Sequence, residues 1–192
     1  DLLFTKDFFT RLVSNFEKLP EVFSPILVEP NRGRKYLNVG LHYLWPGNTS
    51  LAKGLQPGMV LLSGACLCLS PTVLKKIMDS YGYFFDEGFF SYFEDIELQF
   101  RLLELGVLPR VVSYLKVNHL LSGTFGVYSL AKYRLIWKNH NRLILLHWSI
   151  KAILLHLPGI IVGNLHYPLL VTKHNHSPFG AISMFLFVIR RL

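Results

Sequence analysis

From residue 8 the apolar positions Phe8, Phe9, Leu12, Val13, Phe16 and Leu19 recur at helical spacing and stop at Pro20, which predicts an amphipathic helix covering a core. Val22 to Glu29 and Tyr36 to Tyr43 then read as strands joined by the polar turn Asn31-Arg32-Gly33-Arg34. Between Trp45 and Gly58 no apolar period survives among Pro46, Gly47, Gly54, Pro57 and Gly58, so the stretch is expected to be a loop, either a substrate-facing flap or a plain surface connection. Met59 to Leu69 is an apolar run, interrupted at Ser63-Gly64-Ala65, that reads as a buried strand. Ser70-Pro71 follows as N-cap and first helical residue of a short helix over Thr72 to Asp79. After the aromatic stretch Tyr81 to Phe93, a second helix starts at Glu94. It carries Ile96, Phe100 and Leu103 on one stripe and Glu94, Glu97, Arg101 and Glu104 on another, and ends at Gly106. Val107 to Val117 reads as the next strand, running out at Asn118-His119. Strands and helices alternate, so the class is α/β.

The pattern changes after Ser129. Lys138, Arg142, Ser149 and His156 recur at spacings of four and seven, with apolar residues over most of the remaining helical surface. Leu143 to Val171 is interrupted by His147, Lys151, His156, Pro158, Gly159 and His166, too often for a span of about 20 apolar residues. Ala181 to Ile189 is clean but short.

Charge sharpens this division. Residues 1–104 hold ten basic and all twelve acidic groups, whereas residues 105–192 hold ten basic groups and no acidic one. A basic, apolar helical tail is expected to lie in the headgroup region of an anionic membrane surface, the alternative being a helical subdomain folded on the core. Nucleic acid is not expected as a partner, because the charges are interleaved with long Leu, Ile and Trp runs and not with exposed aromatics in a polar groove. The cysteines, Cys66 and Cys68, are too close for an ordinary disulfide and are not spaced as a zinc knuckle. They read as small core residues in a reducing compartment. The chain opens at Asp1 with no secretory signal pattern, and is expected to be a fragment with something upstream missing.

The densest chemistry lies in Asp86-Glu87-Gly88-Phe89-Phe90-Ser91-Tyr92-Phe93-Glu94-Asp95-Ile96-Glu97. Carboxylates there open a helix inside an aromatic surround. The helix dipole favours ionised Asp95 and desolvation opposes it, the balance a general base needs. The same acids could simply cap the helix. Glu94 and Asp95 diverge on a helix and do not form a pair flanking a bond.

Asp86-Glu87-x-Phe89-Phe90-x-Tyr92-x-Glu94-Asp95-x-Glu97-Leu98-x-x-Arg101, with Gly106 beyond, resembles the acceptor-side motif of family 2 glycosyltransferases of the GT-A fold, especially rhamnosyltransferase-like members. Gly64-Ala65 before the Ser-Pro-capped helix is similar to that family's Gly-Ala segment, and Val117-x-His119 with Ser122-Gly123-Thr124 to its histidine-containing stretch. The resemblance covers roughly residues 1–145. It implies a partial GT-A, nucleotide-diphospho-sugar transferase-like domain over residues 1–128, lacking its N-terminal nucleotide-binding half, and a helical membrane-associating extension over residues 129–192.

By that resemblance Asp95 is the base for the acceptor hydroxyl, and Glu94, Gly64 and Ala65 line the acceptor; Trp45, read by itself, could stack on a sugar face of the acceptor or serve as a packing anchor of its Pro/Gly loop. Asp1 and His119 hold a divalent cation, Mg²⁺ or Mn²⁺, while His119, Ser122, Thr124 and Arg142 meet the donor diphosphate. The family's Arg-Asn element matches either Lys138-Asn139 or His140-Asn141-Arg142. The implied activity is inverting transfer of a hexose or deoxyhexose from a nucleotide-diphosphate sugar to a cell-envelope glycan or lipid-linked acceptor, on the cytoplasmic face of the cell membrane. The alternative is a catalytically silent membrane-surface or scaffold domain that keeps the fold.

Overall fold

The computed structural model describes residues 2–29, 36–44, 48–53, 60–119 and 130–175. Among them are seven strands and five α-helices: β1 (Leu2–Phe4), α1 (Phe8–Ser14), β2 (Val22–Glu29), β3 (Tyr36–Leu44), β4 (Asn48–Lys53), β5 (Val60–Leu61), β6 (Cys68–Leu69), α2 (Pro71–Tyr81), α3 (Glu94–Glu104), β7 (Arg110–His119), α4 (Leu130–His147) and α5 (Ile150–Asn175). The chain divides into two compact units. The first comprises Asp1–Tyr43, Thr49–Glu87 and Glu94–Leu121; the second comprises Leu44–Asn48, Gly88–Phe93 and Ser122–Leu192.

The first unit is built on one mixed sheet of order β1-β7-β2-β3-β4, with β5 added to β3 and β6 to β2. β2 runs parallel to β7, as expected of strands joined by a helical crossover, and antiparallel to β3 and β6. The β2–β7 register shifts between Pro25 and Ile26, at a residue with no N–H to give the ladder. Alternation along β2 separates two cores. Phe23 and Leu27 join Phe8, Val112, Leu115 and Val117. Val22 joins Val73 and Ile77 of α2, Leu98 and Leu102 of α3, and Val107. The mixed α/β class agrees with the alternating pattern of the sequence.

Four sequence expectations change here. The helix expected over residues 8–19 closes at Ser14 and a 3-10 turn, Phe16–Lys18, follows. Phe8 is buried while Phe9, Val13 and Phe16 are exposed, because only one i, i+4 row faces the sheet. The loop expected between Trp45 and Gly58 contains β4, which pairs with β3. The single strand expected over Met59 to Leu69 is broken into β5, a 3-10 turn Gly64–Cys66 and β6. The Ser63 hydroxyl accepts the Ala65 N–H and so draws the backbone out of the ladder. β7 starts at Arg110, just past Pro109, and not at Val107. By contrast α2 is set by local chemistry. The Ser70 hydroxyl accepts the Val73 N–H at 3.2 Å, Pro71 is the first helical residue, and Gly82 ends the helix at φ 77°.

Apart from residues 88–93 and the strand ends Leu44 and Asn48, the described part of the second unit is helical. The long helical stretch expected after Ser129 is two helices, because the Ser149 hydroxyl accepts the Ala152 N–H and starts α5 afresh. Asn164 of α5 accepts hydrogen bonds from the Trp137 indole and from the Asn141 amide of α4, the latter at 2.6 Å. Gly159 and Gly163 are buried, whereas Ile150, Leu154, Leu157, Ile161, Leu165 and Leu169 are exposed. At 3.6 residues per turn those six occupy an arc of about 120°. No helix among the described residues is long and apolar enough to cross a membrane. Ala181 to Ile189 lies outside the described residues.

Candidate active site

Asp95 is the second residue of α3. Its Oδ2 accepts the Gly64 N–H at 2.6 Å and its Oδ1 accepts the N–H of Ile96 at 2.9 Å. Burial raises its pKa and these N–H donors oppose the rise. Glu94, beside it, is also raised, by burial first and by the neighbouring Asp95 charge last. The Oε2 of Glu94 is buried and without a hydrogen-bond partner among the described residues. Two adjacent carboxyls of increased proton affinity therefore open α3, one clamped by backbone and the other with an oxygen left over for a donor.

The segment that clamps Asp95 is itself held by α3. The Gln99 side chain accepts the N–H of Leu62 and donates to the carbonyl of Leu62 at 2.8 Å, closing a two-point bridge, and donates to the Asp95 carbonyl at 2.9 Å. Gln99 has no exposed surface. Sequence reasoning passed over it; its signal was a lone amide between Leu98 and Phe100, one turn after Asp95.

Two members of the charged stripe of α3 face inward. Glu97 and Arg101 are each 1% exposed. Arg101 Nε and Nη2 meet the two Glu97 oxygens at 2.8 and 2.7 Å. The same guanidinium donates to the carbonyls of Tyr83 and Phe84 and lies 4.6 Å from the Tyr83 ring centre. These two members of the Glu-Asp-x-Glu-Leu-x-x-Arg run thus fasten the aromatic segment to the helix.

In the second unit, α4 grips residues 88–93. The Asn139 amide nitrogen lies within hydrogen-bonding distance of the Phe89, Ser91 and Tyr92 carbonyls, at 2.8, 2.8 and 2.6 Å. Lys138 donates to the Gly88 carbonyl, and the Arg142 guanidinium sits 5.5 Å from the Phe89 ring centre. Phe90, Tyr92 and Phe93 adopt φ of 61°, 66° and 72°, a left-handed backbone that side chains with a Cβ resist. Phe89 is buried, yet Phe90 is 77% exposed. Both matches considered for the Arg-Asn element are in use: Lys138-Asn139 holds this loop, while Asn141 bonds α5 and Arg142 covers Phe89.

The structure brings Gly64 and Asp95 together and sets Ala65 and Glu94 beside them in the chain. His119 stands at the end of β7, where its Cα is in register with Leu2 of β1. Asp1 lies outside the described residues, as do Trp45, Ser122 and Thr124. Among the described residues no group of three or more His, Cys, Asp or Glu side chains converges on a cation position. Set against models of protein families and against curated proteins, the chain matches none.

Proposed function

We propose that this chain belongs to an inverting glycosyltransferase of the family 2, GT-A type, moving a hexose or deoxyhexose from a nucleotide-diphosphate sugar to a cell-envelope glycan or lipid-linked acceptor. The carrying observation is the Asp95 carboxyl, raised in proton affinity and fixed by the Gly64 N–H at the start of α3. The ionised carboxylate so placed takes the proton from an acceptor hydroxyl as that oxygen attacks the anomeric carbon, and the bond to the diphosphate breaks on the opposite face. Glu94 Oε2 offers an acceptor for a second sugar hydroxyl. A divalent cation, Mg²⁺ or Mn²⁺, would offset charge on the leaving diphosphate, with His119 as its protein ligand. The acid-free second half and the exposed arc of α5 support attachment to an anionic leaflet at the cytoplasmic face of the membrane.

The test is Asp95→Asn in the full-length protein, with transfer and donor binding measured separately. Transfer should fall to background while donor affinity stays within a few-fold. Unchanged turnover overturns the reading. A second reading, a catalytically silent membrane-surface domain, draws on the fact that both Asp95 oxygens already accept backbone N–H groups, as a purely structural acid would. It predicts that Asp95→Asn alters stability alone and that no divalent cation binds.

A further inference from the structure

The pair α4–α5 carries its polarity inward. Asn164 of α5 accepts from the Trp137 indole and the Asn141 amide of α4, and donates to the Ile160 carbonyl at 2.9 Å. Gly159 and Gly163, four residues apart, are buried as well. The outward positions are apolar. Leu155 and Val162 are exposed beside the arc from Ile150 to Leu169 and widen it to about 160°. Lys151 is the one charged member of that face among the described side chains. Leu145 and Leu146 extend the exposed apolar surface onto the last turn of α4. A helix pair made for water places these groups the other way round. Small residues and interhelical hydrogen bonds inside, with apolar groups outside, suit lipid.

We propose that α5 is a monotopic membrane helix, lying along the surface of an anionic bilayer with the arc from Ile150 to Leu169 sunk to the acyl boundary and the seam with α4 intact. Two other ways of covering the arc conflict with the same chain. A span needs about 20 predominantly apolar residues, and no described helix is long and apolar enough to cross. A second copy seated on the arc would bring residues 105–192, with ten basic groups and no acidic one, against their twin, so like charges would meet without a counter-charge. An anionic leaflet supplies the counter-charge and the apolar layer together.

The exposed positions set the posture. Ile150, Leu154, Ile161 and Leu165 fall within about 60° of one another around the helix, yet are spread over about 22 Å of its length. A helix that entered tip first would hold them at graded depths, whereas one lying flat holds them at a single depth. The proposal rests on the membrane attachment proposed above and deepens it by assigning the element and its orientation; it does not depend on sugar transfer.

The full chain is mixed with vesicles of phosphatidylcholine, with or without one-third phosphatidylglycerol, and binding is read by co-sedimentation. The wild type should bind the anionic vesicles, and the neutral ones at least tenfold more weakly. Leu154→Ser/Ile161→Ser/Leu165→Ser should weaken anionic binding at least tenfold with unchanged circular dichroism, since these side chains already face outward. Depth is read in a Cys66→Ala/Cys68→Ala background by a nitroxide on Ile150→Cys, Leu154→Cys, Ile161→Cys or Leu165→Cys, from broadening by oxygen against a nickel chelate. All four should report one common depth. Should the serine variant lose its dichroism, the four labelled proteins decide alone. A depth that changes steadily from residue 150 to 165, or wild-type binding by a folded serine variant, overturns the assignment of α5 while leaving membrane attachment in place. Failure of the wild type to bind anionic vesicles overturns both. A mass that doubles with protein concentration in solution, and no longer does so in the serine variant, gives the arc to a second copy and overturns the proposal.

Discussion

Asp95 occupies the space that a side chain on residue 64 would need. A Cβ built on Gly64 would stand 2.5 Å from Asp95 Cβ and 2.8 Å from Asp95 Oδ2. The glycine here serves a close approach and not an unusual dihedral, and the approach is what lets its N–H reach the carboxylate. Gly64→Ala should therefore destabilise the protein by about 1–3 kcal/mol. In an Asp95→Gly background, where the facing Cβ is gone, the same change should have a markedly smaller effect. Urea midpoints for the four members of the cycle measure the difference.

The raised pKa of Asp95 gives a signed pH dependence. Its carboxyl holds a proton more tightly in the folded chain than in the unfolded one, so the folded state binds more protons between the two pKa values. The corresponding stability is full below the ordinary carboxylate range and is lost as pH rises through the folded value. Asp95→Asn should remove this fall, and Glu94→Gln should remove a similar one of the same sign. Denaturant titrations of wild type and variants across the acid range test it through differences, which cancel the other carboxyls. Equal slopes in all three proteins would refute the prediction.

Gln99 is a bridge whose two ends can be cut separately. Gln99→Leu strands the N–H and carbonyl of Leu62 and should reduce stability by about 2–4 kcal/mol. Gln99→Glu keeps an acceptor but loses the donor toward the Leu62 carbonyl. It should be destabilised at neutral pH and partly restored in acid, when the protonated carboxyl can donate again. Thermal unfolding at both pH values distinguishes the two variants.

The Glu97–Arg101 pair is buried on both sides, so removing one partner leaves a charge in the core. Arg101→Met should lower stability by about 3–5 kcal/mol, with the double change Glu97→Leu/Arg101→Met less damaging than the single one. Chemical denaturation reads both. A double variant less stable than Arg101→Met would refute the prediction, since it would show that the Glu97 carboxylate is not left as an uncompensated charge when Arg101 is removed.

Phe90 combines a left-handed backbone with an exposed ring. Phe90→Gly should stabilise the protein by about 1 kcal/mol by relieving that backbone, whereas Asn139→Ala should destabilise it by releasing the carbonyls of Phe89, Ser91 and Tyr92. A loss of stability in Phe90→Gly would mean that the ring itself packs in solution.

What the sequence determined by itself is local. Ser70, Pro71 and Gly82 delimit α2, alternation marks β2, and the run from Glu94 marks α3, because caps, missing N–H groups and side-chain periods act over a few residues. Tertiary structure alone decided the rest. Residues 64 and 95 meet across 31 positions, 62 and 99 across 37, and 89 and 139 across 50. At such separations a carboxylate, an amide or a buried arginine pairs with whichever backbone group packing brings to it. Spacing on one helix could not reveal that Glu97 and Arg101 turn inward while Glu104 stays exposed, since burial belongs to the neighbour that covers a face and not to the residues that form it.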